Sequence, residues 1–151
     1  MTNGFNITDA EWQIMRLLWT EKQLTSSQLI KQLNVQGHQW QDTTVKTLLS
    51  RLVKKNIITV QKNKRPYLYS PLIGEQEAIN ASVKTIFANI CSQRQGKALQ
   101  AILQYVTLSQ HDISQLIAML EHKKQNAPLV VPCNCIMKCN QCNFKGVENN
   151  E

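Results

Sequence analysis

Four of the chain's five cysteines fall within ten residues near its C-terminal end: Cys133, Cys135, Cys139 and Cys142. Thiolates bind soft or borderline ions, which places Cu(I) and Zn(II) first among the candidate metals. Four sulfurs complete a tetrahedral zinc site, whereas the close pair in Cys-x-Cys can bridge metal centres in a compact Cu(I)–thiolate cluster. The segment contains one Cys-x-Cys and one Cys-x-x-Cys spacing, so the spacing does not identify the metal. There are two alternatives to a metal site. The thiols are incidental residues of a flexible tail, or they form a disulfide that acts as a redox switch.

A second group of residues has the chemistry of nucleic-acid recognition. Short hydroxyl side chains near a helix N-terminus can contact phosphate or approach base edges, and Lys or Arg on the same face can reach acceptors in the major groove. Basic residues at a following hairpin tip would sit over the phosphates beside the groove. A solvated helix face is the alternative. The predicted DNA-binding residues are Thr43, Thr44, Lys46, Thr47, Ser50, Arg51 and Lys54 on the helix and Lys62, Lys64 and Arg65 at the tip.

These residues follow two helices that the sequence predicts from their start signals. Thr8 and Glu11 have the spacing of a capping box, and Thr25 and Gln28 repeat it. A third helix begins near Asp42, and its apolar residues recur with the period of one buried helical face. Those residues are Val45, Leu48, Leu49, Leu52 and Val53.

The chain then changes from a helical period to a β pattern. Residues 57–61 are rich in β-branched side chains, residues 63–66 form a turn cluster, and residues 67–69 are predicted to be the returning strand. Three helices followed by a hairpin with a basic tip are the layout of a winged helix-turn-helix. The predicted fold class is therefore mainly α with a small β-hairpin wing.

The second half of the chain is predicted to be helical. A long helix begins at Glu75 with an apolar stripe that extends to Cys91, Gly96 breaks the pattern, and a last helix begins near Ser109. On that stripe Cys91 is predicted to be a small core or interface residue. Apolar faces that follow a complete small domain need a partner, and a second copy of the chain is the simplest one. The predicted domains are a winged-helix DNA-binding domain (1–73), a helical dimerisation domain (74–126) and a cysteine-rich metal-binding tail (127–151).

Charge and motif content exclude several classes of protein. The net charge is +7 over 151 residues, and residues 1–73 contribute +6 of it, from ten Lys/Arg and four Asp/Glu. This distribution favours a polyanionic partner for the first domain. The sequence has no long apolar run and no signal-peptide pattern, so a cytoplasmic location without membrane contact is expected. It also lacks a phosphate-binding loop, a nucleophile elbow and an HExxH motif, so no enzyme activity is expected.

The helix face and the cysteine cluster together resemble the CopY copper-responsive repressors, a branch of the BlaI/MecI family of winged-helix repressors. The strongest stretches are residues 7–12, 44–55 and 67–71. The resemblance implies a homodimer on a palindromic operator of the TACA…TGTA type, with the third helix in the major groove. It further implies that Zn(II) on the tail supports the DNA-bound form. Cu(I), supplied by a cytoplasmic copper chaperone, displaces Zn(II), and copper-export genes are expressed.

The chain departs from this pattern in its tail, which reads Cys-x-Cys-x3-Cys-x2-Cys where CopY tails usually read Cys-x-Cys-x4-Cys-x-Cys. All four thiols remain.

Two other functions are alternatives to a copper-responsive repressor. A β-lactam-responsive repressor would be cleaved at an Asn-Phe bond, where this chain has Gln104 and Tyr105. A metal-buffering module would bind Cu(I) without affinity for an operator.

Overall fold

The computed structural model describes residues 6–135 of the chain. Within these residues the fold is mainly helical with a small antiparallel sheet, as predicted. Two compact units divide between Ile86 and Phe87, inside the fourth helix. The elements in chain order are α1 (Asp9–Glu21), β1 (Leu24–Thr25), α2 (Ser26–Val35), α3 (Asp42–Lys54), β2 (Ile58–Gln61), β3 (Leu68–Pro71), α4 (Glu75–Ala88), α5 (Ser92–Tyr105) and α6 (Gln110–Gln125).

Reciprocal caps begin the first two helices, which confirms both predicted starts. The hydroxyl of Thr8 accepts from the backbone N–H of Glu11, whose carboxylate accepts from the backbone N–H of Thr8 at 2.9 Å. Thr25 and Gln28 repeat the exchange at the start of α2, with distances of 3.2 and 2.9 Å. Each box satisfies two N–H groups that the helix itself leaves without a partner.

The sheet has the strand order β1-β3-β2, and both pairings are antiparallel. Strands β2 and β3 form the predicted hairpin. Strand β1 was not predicted, because two residues are too short to show a period. It pairs Leu24 with Tyr69 and Thr25 with Leu68. The wing is therefore attached to the segment that starts α2.

The first unit is built around a core of aliphatic side chains from α1, α2, α3 and β2, which Ala78 of α4 joins. The predicted face of α3 is buried, with Val53 only partly covered. Trp12, Trp19 and Trp40 pack against this core from its edge, and the indole N–H of Trp19 donates to the carbonyl of Ile73 at 2.9 Å. The fully buried core residues include Ile14, Met15, Leu18, Leu29, Leu33, Leu49 and Leu52.

A charged pair lies at the edge of this core. Glu11 is only 1% exposed, and the ammonium of Lys55 donates to its two carboxylate oxygens at 2.6 and 2.9 Å. Burial alone would raise the pKa of Glu11, but the hydrogen bonds from Lys55 and Thr8 outweigh it, and the pKa lies below its ordinary value. Glu11 therefore stays ionised and holds the end of α3 against the start of α1.

The helices of the second half differ from the prediction at one junction. The helix that begins at Glu75 ends at Ala88, and Gly96 lies inside α5 rather than at a break. The side-chain amide of Gln95 donates to the carbonyls of Phe87 at 3.0 Å and of Ile90 at 3.3 Å. Because a carbonyl in the last turn of α4 and one just after it both accept from Gln95, the chain can turn at residues 89–91.

Helix α6 begins as predicted, with Ser109 as its N-cap in a capping box with Asp112. Both α5 and α6 lie wholly within the described residues, and neither has a fully buried side chain in the single chain. No helix in residues 6–135 combines the length and the apolar character that a bilayer span requires.

Candidate nucleic-acid interface and metal centre

The outer face of α3 carries the helical residues that the sequence predicts to contact DNA. Because Val45, Leu48, Leu49 and Leu52 occupy the buried side, the remaining positions of the helix must face outward. Every predicted residue on this helix is exposed. They are Thr43, Thr44, Lys46, Thr47, Ser50, Arg51 and Lys54.

Contacts within α3 already engage some of these side chains. The ammonium of Lys46 forms an ion pair with Asp42 one turn earlier. The hydroxyl of Thr47 donates to the carbonyl of Thr43 at 2.8 Å, which leaves its oxygen as an acceptor. The acid therefore offsets positive charge in the first turn, while Arg51 and Lys54 give the last turn a basic character.

The turn between β2 and β3 carries the predicted wing charges. Lys62, Lys64 and Arg65 are all exposed. The guanidinium of Arg65 lies 5.8 Å from the centroid of the Tyr67 ring, within the range of a cation–π contact. This contact restrains Arg65, while the turn projects all three cations into solvent.

One groove brings the start of α2, the face of α3 and the wing together. Its lining consists of Ser26, Lys46, Arg65, Pro66, Tyr67 and Tyr69. Burial raises the pKa of Tyr69, although the positive charge of Lys46 opposes the shift. Tyr69 is thus a neutral phenol at physiological pH and can donate a hydrogen bond. The groove offers cations and hydroxyl groups to an anionic ligand.

Four lining residues of this groove were not among the predicted site residues: Ser26, Pro66, Tyr67 and Tyr69. Tyr67 and Tyr69 alternate along the predicted strand, and that period of two could have placed both on one face beside the basic turn. Ser26 could not have been found in this way, because its place beside the wing depends on the unpredicted pairing of β1 with β3.

The described part of the tail contains two of the four predicted metal ligands, Cys133 and Cys135, which lie close together. Cys139 and Cys142 lie outside the described residues. A third thiol, that of Cys91, joins the first two, and the three sulfur atoms lie within 4.8 Å of one another. The prediction that Cys91 occupies the apolar stripe of the fourth helix is wrong, because that helix ends at Ala88 and Cys91 is the N-cap of α5.

The geometry of the three thiols fits a thiophilic metal ion. Sulfur ligands about 2.3 Å from a tetrahedral zinc are about 3.8 Å from one another. The Sγ atoms of Cys91 and Cys133 are 3.6 Å apart. All-sulfur donors select Zn(II) and Cu(I) over hard cations. Cys91 was missed because a residue 42 positions away in sequence gives no spacing signal.

Comparisons with known proteins place the chain in a family. The family model described as the penicillinase repressor matches residues 7–122. A Latilactobacillus sakei protein, described as an uncharacterised 16.5 kDa protein in the ptsI 3′ region, is 38% identical over 97% of this chain and 98% of its own length. The penicillinase repressor of Bacillus licheniformis is 27% identical over 78% of this chain and 91% of its own.

Among solved structures, the monomeric form of Bacillus licheniformis BlaI in complex with the blaP half-operator is 32% identical. The match covers 48% of this chain and 87% of that one, with a TM-score of 0.42. The family match spans well over half of the sequence, and the Latilactobacillus relative aligns along almost all of it. The chain therefore belongs to the penicillinase repressor family.

Proposed function

We propose that the protein is a metal-responsive transcriptional repressor that binds a palindromic operator as a homodimer in the cytoplasm. Cu(I) displaces Zn(II) at the C-terminal cysteines and releases the operator, so copper-export genes are expressed. One observation carries the DNA-binding half of this proposal. Lys46 on the exposed face of α3 and Arg65 of the basic wing line a single groove in a chain of a repressor family.

The roles of the individual residues follow from their chemistry. Thr43, Thr44 and Thr47 lie in the first half of α3, where short side chains allow a close approach to phosphates and base edges. Arg51 presents a planar fork of donors to base acceptors such as those of guanine. Cations at the wing tip contact phosphate, which positions the protein without reading sequence.

The homodimer is supported by the apolar side chains of α5 and α6. Seven of them, which repeat at helical spacing and include Val106 at the C-cap of α5, are each between 44% and 55% exposed in the single chain. A two-fold partner that presents the same faces would cover them. These side chains are Leu99, Ile102, Leu103, Val106, Ile113, Ile117 and Leu120.

The metal-responsive half is supported by the gathering of thiols at Cys133 and Cys135. The proposed ligands are these two together with Cys139 and Cys142 of the tail. A metal changes operator affinity only if it binds the DNA-competent and DNA-incompetent forms unequally. Zn(II) and Cu(I) differ in preferred coordination, which allows the two ions to favour different forms.

The test is a mobility shift on a TACA…TGTA duplex, titrated separately with Zn(II) and with Cu(I). We expect the zinc-loaded protein to bind and Cu(I) to release it. A variant with all four tail cysteines changed to Ser should keep its DNA affinity when Cu(I) is added. Arg51→Ala should weaken binding, whereas the matched Arg16→Ala, at an exposed position on α1, should not.

Two results would overturn parts of the proposal. Tight operator binding that ignores Cu(I) would remove the metal response and favour a repressor regulated by proteolysis or by thiol oxidation. Cu(I) binding without affinity for the operator or for any other duplex would favour a metal-buffering module.

A further inference from the structure

The thiol of Cys91 lies against the tail although it belongs to the junction between α4 and α5. Its sulfur is 3.6 Å from that of Cys133, and Cys135 completes a group whose sulfurs all lie within 4.8 Å. We propose that Cys91 is a ligand of the tail metal site. A thiophilic cation, Zn(II) or Cu(I), would then join the tail to the α4–α5 junction instead of binding to the tail alone.

Hydrogen bonds that involve no Cys91 atom hold the tail in this place. The backbone N–H of Ser92 donates to Oδ1 of Asn134 at 2.9 Å. The side-chain amide of Gln93 donates to the carbonyl of Val131 at 3.0 Å. These two contacts flank Cys133 on the tail and directly follow Cys91 on α5. The approach of the three sulfurs is therefore supported by one hydrogen bond on each side of Cys133.

The start of α5 suits an anionic ligand set. The side chain of Cys91 makes no capping hydrogen bond to the helix, and Asn134 from the tail takes one of the N–H groups that the first turn leaves without a partner. Helix α5 lies wholly within the described residues, and its first turn contains no acidic side chain. The partial positive charge of this helix end favours an anionic group beside it. The backbone N–H of Cys135 also donates to the sulfur of Cys133 at 3.4 Å.

This ligand set has a consequence for regulation, which rests on the proposed function. A site confined to residues 133–142 could change its metal without moving any helix. A site that includes Cys91 ties the metal to the start of α5, the helix that carries Leu99, Ile102 and Leu103. Exchange of one ion for another with a different geometry would then act on the surface proposed for dimer contact.

The ligand assignment is testable on the full-length protein without DNA. Wild type, Cys91→Ser and the matched control Ser92→Ala would each be loaded with Co(II), and zinc affinity would be measured by competition with a chromophoric chelator. Ser92→Ala keeps the backbone N–H that Asn134 accepts from. We expect Cys91→Ser to change the thiolate-to-cobalt absorption, because another ligand must take the place of Cys91, and to bind zinc about tenfold more weakly. Ser92→Ala should match wild type.

A second measurement on the wild type removes dependence on the variant's folding. The metal-free, Zn(II)-loaded and Cu(I)-loaded proteins would be alkylated with iodoacetamide, and each cysteine peptide quantified by mass spectrometry. Protection of Cys91 by either ion, together with the tail cysteines, is the expected result. Comparison of the Zn(II)-loaded with the Cu(I)-loaded protein also identifies which ion Cys91 binds.

Three outcomes separate this inference from the proposed function. Wild-type metal affinity and absorption in Cys91→Ser, with Cys91 alkylated in the loaded protein, would overturn the inference even if Cu(I) still releases DNA. Loss of metal affinity in Cys91→Ser, with DNA binding by wild type indifferent to Cu(I), would uphold the ligand and overturn the copper response. A Cys91–Cys133 disulfide formed in air, with no metal protection, would overturn the ligand assignment in favour of a redox pair.

Discussion

The exposed charge of Lys64 at the wing tip allows a quantitative test of the proposed DNA interface. Each phosphate contact contributes about 0.9 to the slope of log K against log salt concentration. A homodimer places two copies of Lys64 on the operator, so Lys64→Gln should reduce the slope by about 1.8. Between roughly 50 and 200 mM salt, wild-type affinity should therefore fall about tenfold more than that of the variant.

The assay is fluorescence anisotropy with a labelled TACA…TGTA duplex over that salt range. The control Arg16→Gln removes the same charge from an exposed position on α1. Its slope should equal that of wild type, because Arg16 is not among the proposed contacts. An unchanged slope in Lys64→Gln would refute the wing contact. Equal loss in both variants would show that net charge, and not the wing position, sets the salt dependence.

Three further predictions concern assembly and stability. Leu103→Glu, on the half-exposed face of α5, should convert the homodimer to a monomer in sedimentation experiments, and a persistent dimer would place the interface elsewhere. Glu11→Gln should lower the free energy of unfolding at neutral pH by about 1–3 kcal/mol, because it leaves the Lys55 ammonium without its carboxylate. The pKa of Glu11 is lowered from 4.5, so its stabilisation is present above that pH and is lost as the pH falls through the folded value. Urea titrations should therefore show wild type and variant converging in acid, and a constant difference would contradict the pairing. Trp19→Phe should cost about 1–2 kcal/mol in the same assay through loss of its hydrogen bond to Ile73, and an unchanged midpoint would rule that contribution out.

The parts of the fold that were predicted correctly depend on neighbours in sequence. Thr8 and Thr25 cap their helices through residues three positions later, so the pair of residues that predicts each cap is also the pair that forms it. The face of α3 follows from one helical period. By contrast, β1 exists because Leu24 meets Tyr69, and no local pattern encodes that pairing.

The candidate sites show the same division. The face of α3 was predictable because its exposure is the complement of its buried stripe. The place of Cys91 was not, since it depends on where α4 ends and on the return of the tail to Ser92. The end of α4 depends in turn on Gln95, whose side-chain amide donates hydrogen bonds to two carbonyls at the junction. A polar residue inside an amphipathic helix carries no mark of that role.

The two-residue strand β1 determines how rigid the proposed DNA-contacting surface is. Thr25 pairs with Leu68 of the wing and also caps α2, so the hairpin and the start of that helix share one residue. An isolated hairpin would have to be ordered when a ligand arrived, with an entropic penalty at that moment. Here the order exists beforehand. The entropy change on binding a polyanion would then come mainly from the release of counterions and water, with little contribution from folding of the protein.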